Sequence, residues 1–179
     1  MATEISVKSL VTRESPRQIL REDFPSFPDL PIRGGWGYDE ETAVIIDKCD
    51  PSVPKGVPFD GVGAEYAFAD RRLWEELIIF RTKGNKLAGI QKTLIEQRIT
   101  SGTRGGKYDV LKFQVTALPE EDWEALKAAW EGPEGFQSPN FDHEAHMQRH
   151  EAATVTFVAE YWFEISSFSE NEYLISDDA

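Results

Sequence analysis

Hydrophobic and polar residues alternate most regularly near the end of the chain, from Thr154 to Ile165. Every second residue is apolar from Val155 onward, whereas Glu160, Trp162 and Glu164 fall on the opposite face. Successive side chains of a β-strand point to opposite faces, so a period of two indicates a strand with one buried face. The pattern therefore predicts a strand across residues 154–165.

Two further stretches predict a β-hairpin in the middle of the chain. Tyr108–Leu118 alternates in the same way, and the glycine-rich segment 101–107 before it is typical of a hairpin connection. Leu87–Thr100 fits a strand that pairs with it, although a helix with Leu87 on its apolar side remains an alternative.

The remaining elements are shorter. The pattern predicts strands over Ile5–Val11, Thr42–Asp47 and Glu76–Arg81, and a helix over Gly63–Glu75. Three more helices are predicted from capping residues, since Ser at the N-cap and Pro at the first helical position both favour a helix start. They begin after Ser15, at Pro119, and after Ser138.

This order of elements predicts an α+β fold, with an antiparallel sheet of about five strands packed against two or three helices and long Pro/Gly-rich loops. We expect residues 1–33 to form an irregular N-terminal arm, because prolines interrupt FPSFPDLP. Residues 34–166 are expected to form a single α+β domain, and residues 167–179 an acidic tail.

Charge narrows the classes of partner. The formal net charge is −13, and residues 111–179 carry 15 acidic and only 3 basic side chains. Such acidity opposes binding to nucleic acid or an anionic membrane and favours a basic protein partner. The apolar runs are too short for a membrane helix, and Cys49 is the only cysteine, so we expect a soluble, cytoplasmic protein.

The leading hypothesis is a non-enzymatic, acidic protein-binding domain, for example an inhibitor or immunity-type protein for a basic partner. Such a protein needs a complementary charged surface and no catalytic constellation. The expected partner-binding residues are acidic side chains of one helix and one strand: Glu120, Glu121, Asp122, Glu124, Glu131, Glu160 and Glu164.

The three histidines support an alternative hypothesis, a metal-dependent hydrolase. His143, His146 and His150 lie in one short stretch, and Glu144 or Asp142 could supply a carboxylate. On one helix they share a side that we expect to face solvent, where two imidazoles could hold zinc. The order H-E-x-H departs from the H-E-x-x-H metalloprotease motif, so zinc and an enzymatic role both stay open.

Two weaker sequence features and a second alternative function remain. The loop GGWGYDEE at 34–41 carries aromatic and acidic groups but no nucleotide-binding glycine pattern. Basic residues cluster near Arg98, Arg104 and Lys107. A second alternative is a phage or assembly component that forms a homo-oligomer through the Pro-rich arm.

Overall fold

The structure, a computed structural model, describes residues 3–5 and 7–169. These residues form two compact units that are each built from separate parts of the chain. Unit 1 contains residues 3–5, 7–8, 74–95 and 113–159, and unit 2 contains residues 9–73, 96–112 and 160–169. Residues 170–179 of the predicted acidic tail lie outside the described residues, and the predicted domain boundaries stay a prediction.

The described chain contains four α-helices, one π-helical turn and six strands. The helices are α1 (Pro16–Asp23), α2 (Gly61–Trp74), α3 (Glu120–Glu131) and α4 (His143–Ala153), and the π-helical turn spans Glu75–Ile79. The strands are β1 (Thr3–Glu4), β2 (Ile32–Gly34), β3 (Val44–Ile46), β4 (Leu87–Ser101), β5 (Lys107–Pro119) and β6 (Val155–Glu164).

The strands form one mostly antiparallel sheet in the order β2-β3-β6-β5-β4, which confirms the predicted α+β fold. Strand β3 is parallel to β6 and places Val44 opposite Phe163, while β2 and β3 are antiparallel. Strand β1 is also parallel to β6 and places Thr3 opposite Val155. No helix among the described residues is long and apolar enough to cross a membrane.

The long alternating stretches were predicted correctly. In β6, odd-numbered residues are buried and even-numbered residues are half-buried or exposed. The strand interpretation of residues 87–100 is confirmed by β4, and the helix alternative is wrong. Ser15 caps α1 by accepting a hydrogen bond from the Gln18 N–H, as its sequence position predicted.

Two predicted strands are wrong. Residues 76–81 extend the helical chain beyond α2 through the π-helical turn, in which the Phe80 N–H donates to the Glu75 carbonyl. A short apolar run such as LIIF fits a buried helix as well as a strand, and here helix continues until residue 79. Near the N-terminus, strand structure covers Thr3–Glu4 and not the described residues between Ile5 and Val11.

The predicted start of the fourth helix is also wrong. Asp142, not Ser138, is the N-cap of α4, and its Oδ1 accepts the Ala145 N–H at 2.9 Å. The Ser138 hydroxyl instead accepts the Asn140 N–H at 3.2 Å, and the Phe141 N–H bonds to the Ser138 carbonyl. Ser138 thus caps a turn, because serine stabilises turns by the same local hydrogen bonds that it makes at helix starts.

Aromatic packing forms the core of unit 2. Phe68 of α2 is fully buried and makes an edge-to-face contact with Phe163 of β6, with ring centroids 5.8 Å apart. The hydroxyl of Tyr161, which is also fully buried, donates to the Ala69 carbonyl at 3.4 Å. These contacts fix α2 against the apolar face of β6 within this unit.

In unit 1, α3 is held against the sheet by a close approach to Gly89 of β4. Trp123 packs there, since a Cβ added at Gly89 would lie 2.8 Å from the Trp123 ring. Gly89 also has a φ of +60°, which glycine adopts without strain. The Glu120 N–H donates to the Lys86 carbonyl at 3.0 Å, and Leu126 is buried. Helix α3 therefore presents the opposite side to solvent.

Candidate functional site

The five acidic residues predicted on the helix all lie on the exposed side of α3 in unit 1. Within the described chain none of them forms an ion pair or a side-chain hydrogen bond. Three occupy the first turn, where a carboxylate is favourable beside the positive end of the helix dipole. We call this set the α3 carboxylates: Glu120, Glu121, Asp122, Glu124 and Glu131.

An exposed aromatic pair lies at the end of α3. The rings of Trp130 and Phe136 are stacked, with centroids 4.4 Å apart and planes 17° from parallel. Trp130 is 39% exposed and Phe136 is 49% exposed, which is high for such large apolar side chains. Phe141 supports the pair from the next turn, with its ring perpendicular to Trp130 at 5.6 Å. The pair is therefore ordered by its own packing and still accessible.

Trp130 and Phe136 line a groove of about 620 Å³. Glu131 lines the same groove, so an α3 carboxylate lies beside the aromatic pair. The rest of the wall comes from the segment after α3: Gly132, Pro133, Gln137, Ser138 and Pro139. Aromatic side chains with adjacent unpaired carboxylates are complementary to a peptide segment in which basic residues flank an apolar residue.

The histidines contribute to the same aromatic cluster, which corrects the expectation that their side of the helix faces solvent. His146 is only 6% exposed, and its ring lies 5.3 Å from those of both Trp130 and Phe141. His143 is exposed and makes an edge contact with Phe141 at 4.7 Å. The helix packs through His146 because an imidazole has an aromatic face that fits against other rings.

Burial changes the chemistry of His146. It lowers the pKa of the imidazole, and the nearby charges of Arg149, His150 and His143 lower it further. Its Nδ1 is buried and has no hydrogen-bond partner among residues 3–5 and 7–169. Burial and these charges therefore favour the neutral imidazole inside the cluster.

The predicted metal ligands are not gathered into a coordination site. Over the described residues, no group of three or more His, Cys, Asp or Glu side chains is placed to hold a metal ion. Glu144 instead accepts a hydrogen bond from the Gln148 amide at 3.2 Å. Zinc binding by His143, His146, His150 and Glu144 stays a prediction.

The two strand residues of the predicted partner-binding set lie in unit 2 and have internal partners. Glu160 lies 3.5 Å from Lys112 and 3.7 Å from Arg98, and it accepts the Trp162 indole N–H at 2.7 Å. Glu164 accepts the backbone N–H of Ser166 at 3.0 Å. Glu160 thus belongs to a charge network within unit 2, in contrast to the α3 carboxylates.

The remaining candidates of the sequence analysis have local roles in unit 2. Trp36 of the glycine-rich loop is buried, and its indole donates to the Thr12 hydroxyl at 3.0 Å. Arg98 lies over the Trp162 ring at 5.4 Å, and Arg104 is 3.6 Å from Glu41 in an exposed pair.

Sequence reasoning missed the most buried cation, Arg72 of α2. Its guanidinium lies between the rings of Tyr38 and Tyr161, at 4.1 and 3.9 Å from their centroids. It also donates to the carbonyls of Trp36 and Glu160, both at 2.9 Å. The signal in the sequence was an arginine pair inside a helix segment with several large apolar residues, AFADRRLW. Arg72 has a structural role, because it satisfies buried carbonyls.

Comparison with protein-family models, with curated proteins and with solved structures found no match for this chain.

Proposed function

We propose that this protein is a non-enzymatic binding domain that recognises a basic segment of a protein partner through unit 1. The observation that supports this most is the groove in which the exposed Trp130–Phe136 pair lies beside Glu131. The other α3 carboxylates extend the negative surface along the same helix. Residues 113–159 carry nine acidic and two basic side chains, so a cationic partner is the electrostatically complementary one.

Different groups of this surface provide affinity and selectivity. Tryptophan in a partly buried pocket is the side-chain type that most often dominates binding energy at protein interfaces. The Trp130 ring also attracts a lysine or arginine side chain by a cation–π interaction. Exposed carboxylates contribute less to affinity, but they accelerate association and select for positive charge. Together these groups favour an arginine- or lysine-rich segment.

An inhibitor or immunity-type role, in which the acidic surface covers a basic site on a toxin or nuclease, is our specific form of this proposal. A cytoplasmic location belongs to the same proposal. The exposed, unpaired thiol of Cys49 supports it, since exposed free thiols are more compatible with a reducing compartment.

The test measures binding of fluorescein-labelled octa-arginine to the full chain by fluorescence anisotropy at several salt concentrations. A variant with Glu121→Gln, Glu124→Gln and Glu131→Gln should bind about tenfold more weakly, because three exposed charges are lost. Trp130→Ala should weaken binding by about thirtyfold without any change of charge. The affinity of the triple Glu→Gln variant for octa-arginine should also depend less on salt concentration than that of the unmodified protein.

A matched control removes three exposed carboxylates of unit 2, with Glu14→Gln, Glu22→Gln and Asp23→Asn. It has the same net charge as the α3 variant, so it should bind almost like the unmodified protein. If it weakened binding as much as the α3 variant, or if Trp130→Ala had no effect, binding would reflect net charge alone. Either result would contradict the proposal.

A further inference from the structure

A second concave site lies within unit 2 and has a volume of about 380 Å³. The polar side chains that line it are three carboxylates, one hydroxyl of a threonine, one phenol and one guanidinium. They are Glu40, Glu41, Glu164, Thr103, Tyr108 and Arg104. We call this site the unit 2 cleft.

Two of the carboxylates are held in place by the protein. One oxygen of Glu40, Oε1, accepts both the backbone N–H of Thr103 at 2.6 Å and its hydroxyl at 2.9 Å. The Oε1 of Glu164 accepts the Ser166 N–H at 3.0 Å. Each carboxylate thus uses one oxygen for a fixed contact and keeps a second oxygen as a further acceptor.

Tyr108 is the observation that points to a ligand. Its side chain is only 9% exposed, and its ring packs edge-on against Trp162 at 6.0 Å. Its hydroxyl nevertheless has no hydrogen-bond partner in the described part of the chain. The hydroxyl oxygen itself is not enclosed, so it opens into the cleft that Tyr108 lines and is available to a bound molecule.

The surroundings of Tyr108 are negative. Burial raises the pKa of its phenol, and the charges of Glu40 and Glu164 raise it further, whereas Arg104 acts in the opposite direction. Arg104 is 81% exposed and lies nearest to Glu41, which is 78% exposed. Because Arg104 is exposed and paired with Glu41, it compensates the charges of Glu40 and Glu164 around the phenol only in part.

We propose that the unit 2 cleft binds a small organic cation with several N–H donors, that is, a guanidinium or primary ammonium group. The second oxygens of Glu40 and Glu164 would accept its N–H groups, and the Tyr108 hydroxyl would accept another. The volume suits an organic group and is far larger than a metal ion. This inference concerns unit 2 and does not depend on the function proposed for unit 1.

Isothermal titration calorimetry with three matched amides tests the proposal. All three are acetylated at the α-nitrogen, so that Nα-acetyl-argininamide and Nα-acetyl-lysinamide each carry one cationic group, and Nα-acetyl-citrullinamide replaces the guanidinium by a neutral urea of the same shape. At least one cationic amide should bind tenfold or more tightly than citrullinamide, because hydrogen bonds to charged groups are the stronger ones. Equal binding of all three, or no binding of either cation, would overturn the proposal.

Two conservative variants locate the binding site. Tyr108→Phe removes only the hydroxyl and should weaken binding of the better cation by about tenfold. Its thermal midpoint should stay within about 2 °C of the unmodified protein, because no internal hydrogen bond is lost. Glu164→Gln keeps the acceptor for Ser166 and should weaken binding to a similar extent.

Glu14→Gln is the matched control, because it removes one exposed charge of unit 2 outside the cleft. We expect it to weaken binding less than threefold. If Tyr108→Phe and Glu164→Gln both bound as tightly as the unmodified protein, the cation would be held elsewhere and the proposal would be wrong. An equal loss of affinity in Glu14→Gln and Glu164→Gln would also contradict it, since binding would then follow net charge alone.

Discussion

The acidic side chains of the two units differ in what they contact. In unit 2 several of them meet cations: Arg17 lies 2.6 Å from Asp50 and 2.8 Å from Asp29, and Glu160 meets Arg98 and Lys112. In unit 1 the α3 carboxylates have no such partners in the described chain and are exposed. The same residue types therefore stabilise one region and remain available to a partner in the other.

Paired carboxylates are tied to folding, because a cation partner lowers their pKa in the folded state. The hydrogen bond from Arg17 holds the pKa of Asp50 well below its usual range. Stability from such a pair is present above the unfolded pKa of about 4 and is lost as the pH falls through the lower folded pKa. A charged surface with no such pairing contributes little to folding and can be kept for binding without loss of stability.

The largest effect should come from the buried cation of unit 2. Arg72→Met should lower the free energy of unfolding by about 3–5 kcal/mol, because the carbonyls of Trp36, Gly37 and Glu160 lose their buried donor. Urea unfolding followed by circular dichroism measures the loss. A variant as stable as the unmodified protein would show that charges of unit 2 are not structural and would break the comparison.

Asp109 of β5 is an exception within unit 2, because it is buried without a cation. It is 2% exposed, Gln97 donates to its Oδ2 at 2.7 Å, and burial raises its pKa. Asp109→Asn should therefore stabilise the protein by about 1 kcal/mol at pH 7, because a charge no longer has to be buried.

The pH dependence of this gain has a definite sign. The folded state binds the proton more tightly than the unfolded state, so unmodified protein loses stability as the pH rises from about 4 to the folded pKa of Asp109. The advantage of Asp109→Asn should shrink when unfolding is measured at progressively lower pH and vanish near pH 4. If the gain in stability of Asp109→Asn did not change with pH, it would come from a change in packing.

His146 allows a similar test of pH-dependent stability in unit 1. Its pKa is lowered in the folded state, so stability should fall as the pH drops below about 6.5, where the unfolded chain takes up the proton more readily. His146→Leu should remove this contribution and make unfolding between pH 7 and pH 5 less dependent on pH. At pH 7 the variant should differ by less than about 1 kcal/mol.

The smallest effects are expected when one carboxylate is removed from each unit, Glu160 from unit 2 or Glu131 from the α3 carboxylates. Glu160→Gln should lower the thermal midpoint by about 1–2 °C, with the difference disappearing in 1 M salt. Glu131→Gln should leave the midpoint unchanged or raise it slightly, because this carboxylate lies in the last turn of α3, near the negative end of the helix dipole. Equal losses in both variants, measured by calorimetry, would remove the distinction between the units.

Local pattern predicted much of the fold. Strands β4, β5 and β6 and helix α3 follow from alternation, capping and breaker residues, which depend only on neighbours in the sequence. The strand predicted at residues 76–81 was wrong because LIIF is compatible with two periodicities. The histidine side of the helix was expected to face solvent because Phe141, Ala145 and Ala152 lie on the opposite side. His146 is instead buried by an aromatic cluster around Trp130.

The sequence alone determined the α+β architecture, the buried face of β6 and the excess of acid in residues 111–179, because periodicity and composition are local properties. Only the tertiary structure decided which charges are paired. Glu160 acquires its cations from residues 98 and 112, whereas the α3 carboxylates acquire none within the described chain. Ion pairs, buried cations such as Arg72 and clefts around a phenol such as Tyr108 depend on contacts between distant residues, which no local pattern specifies.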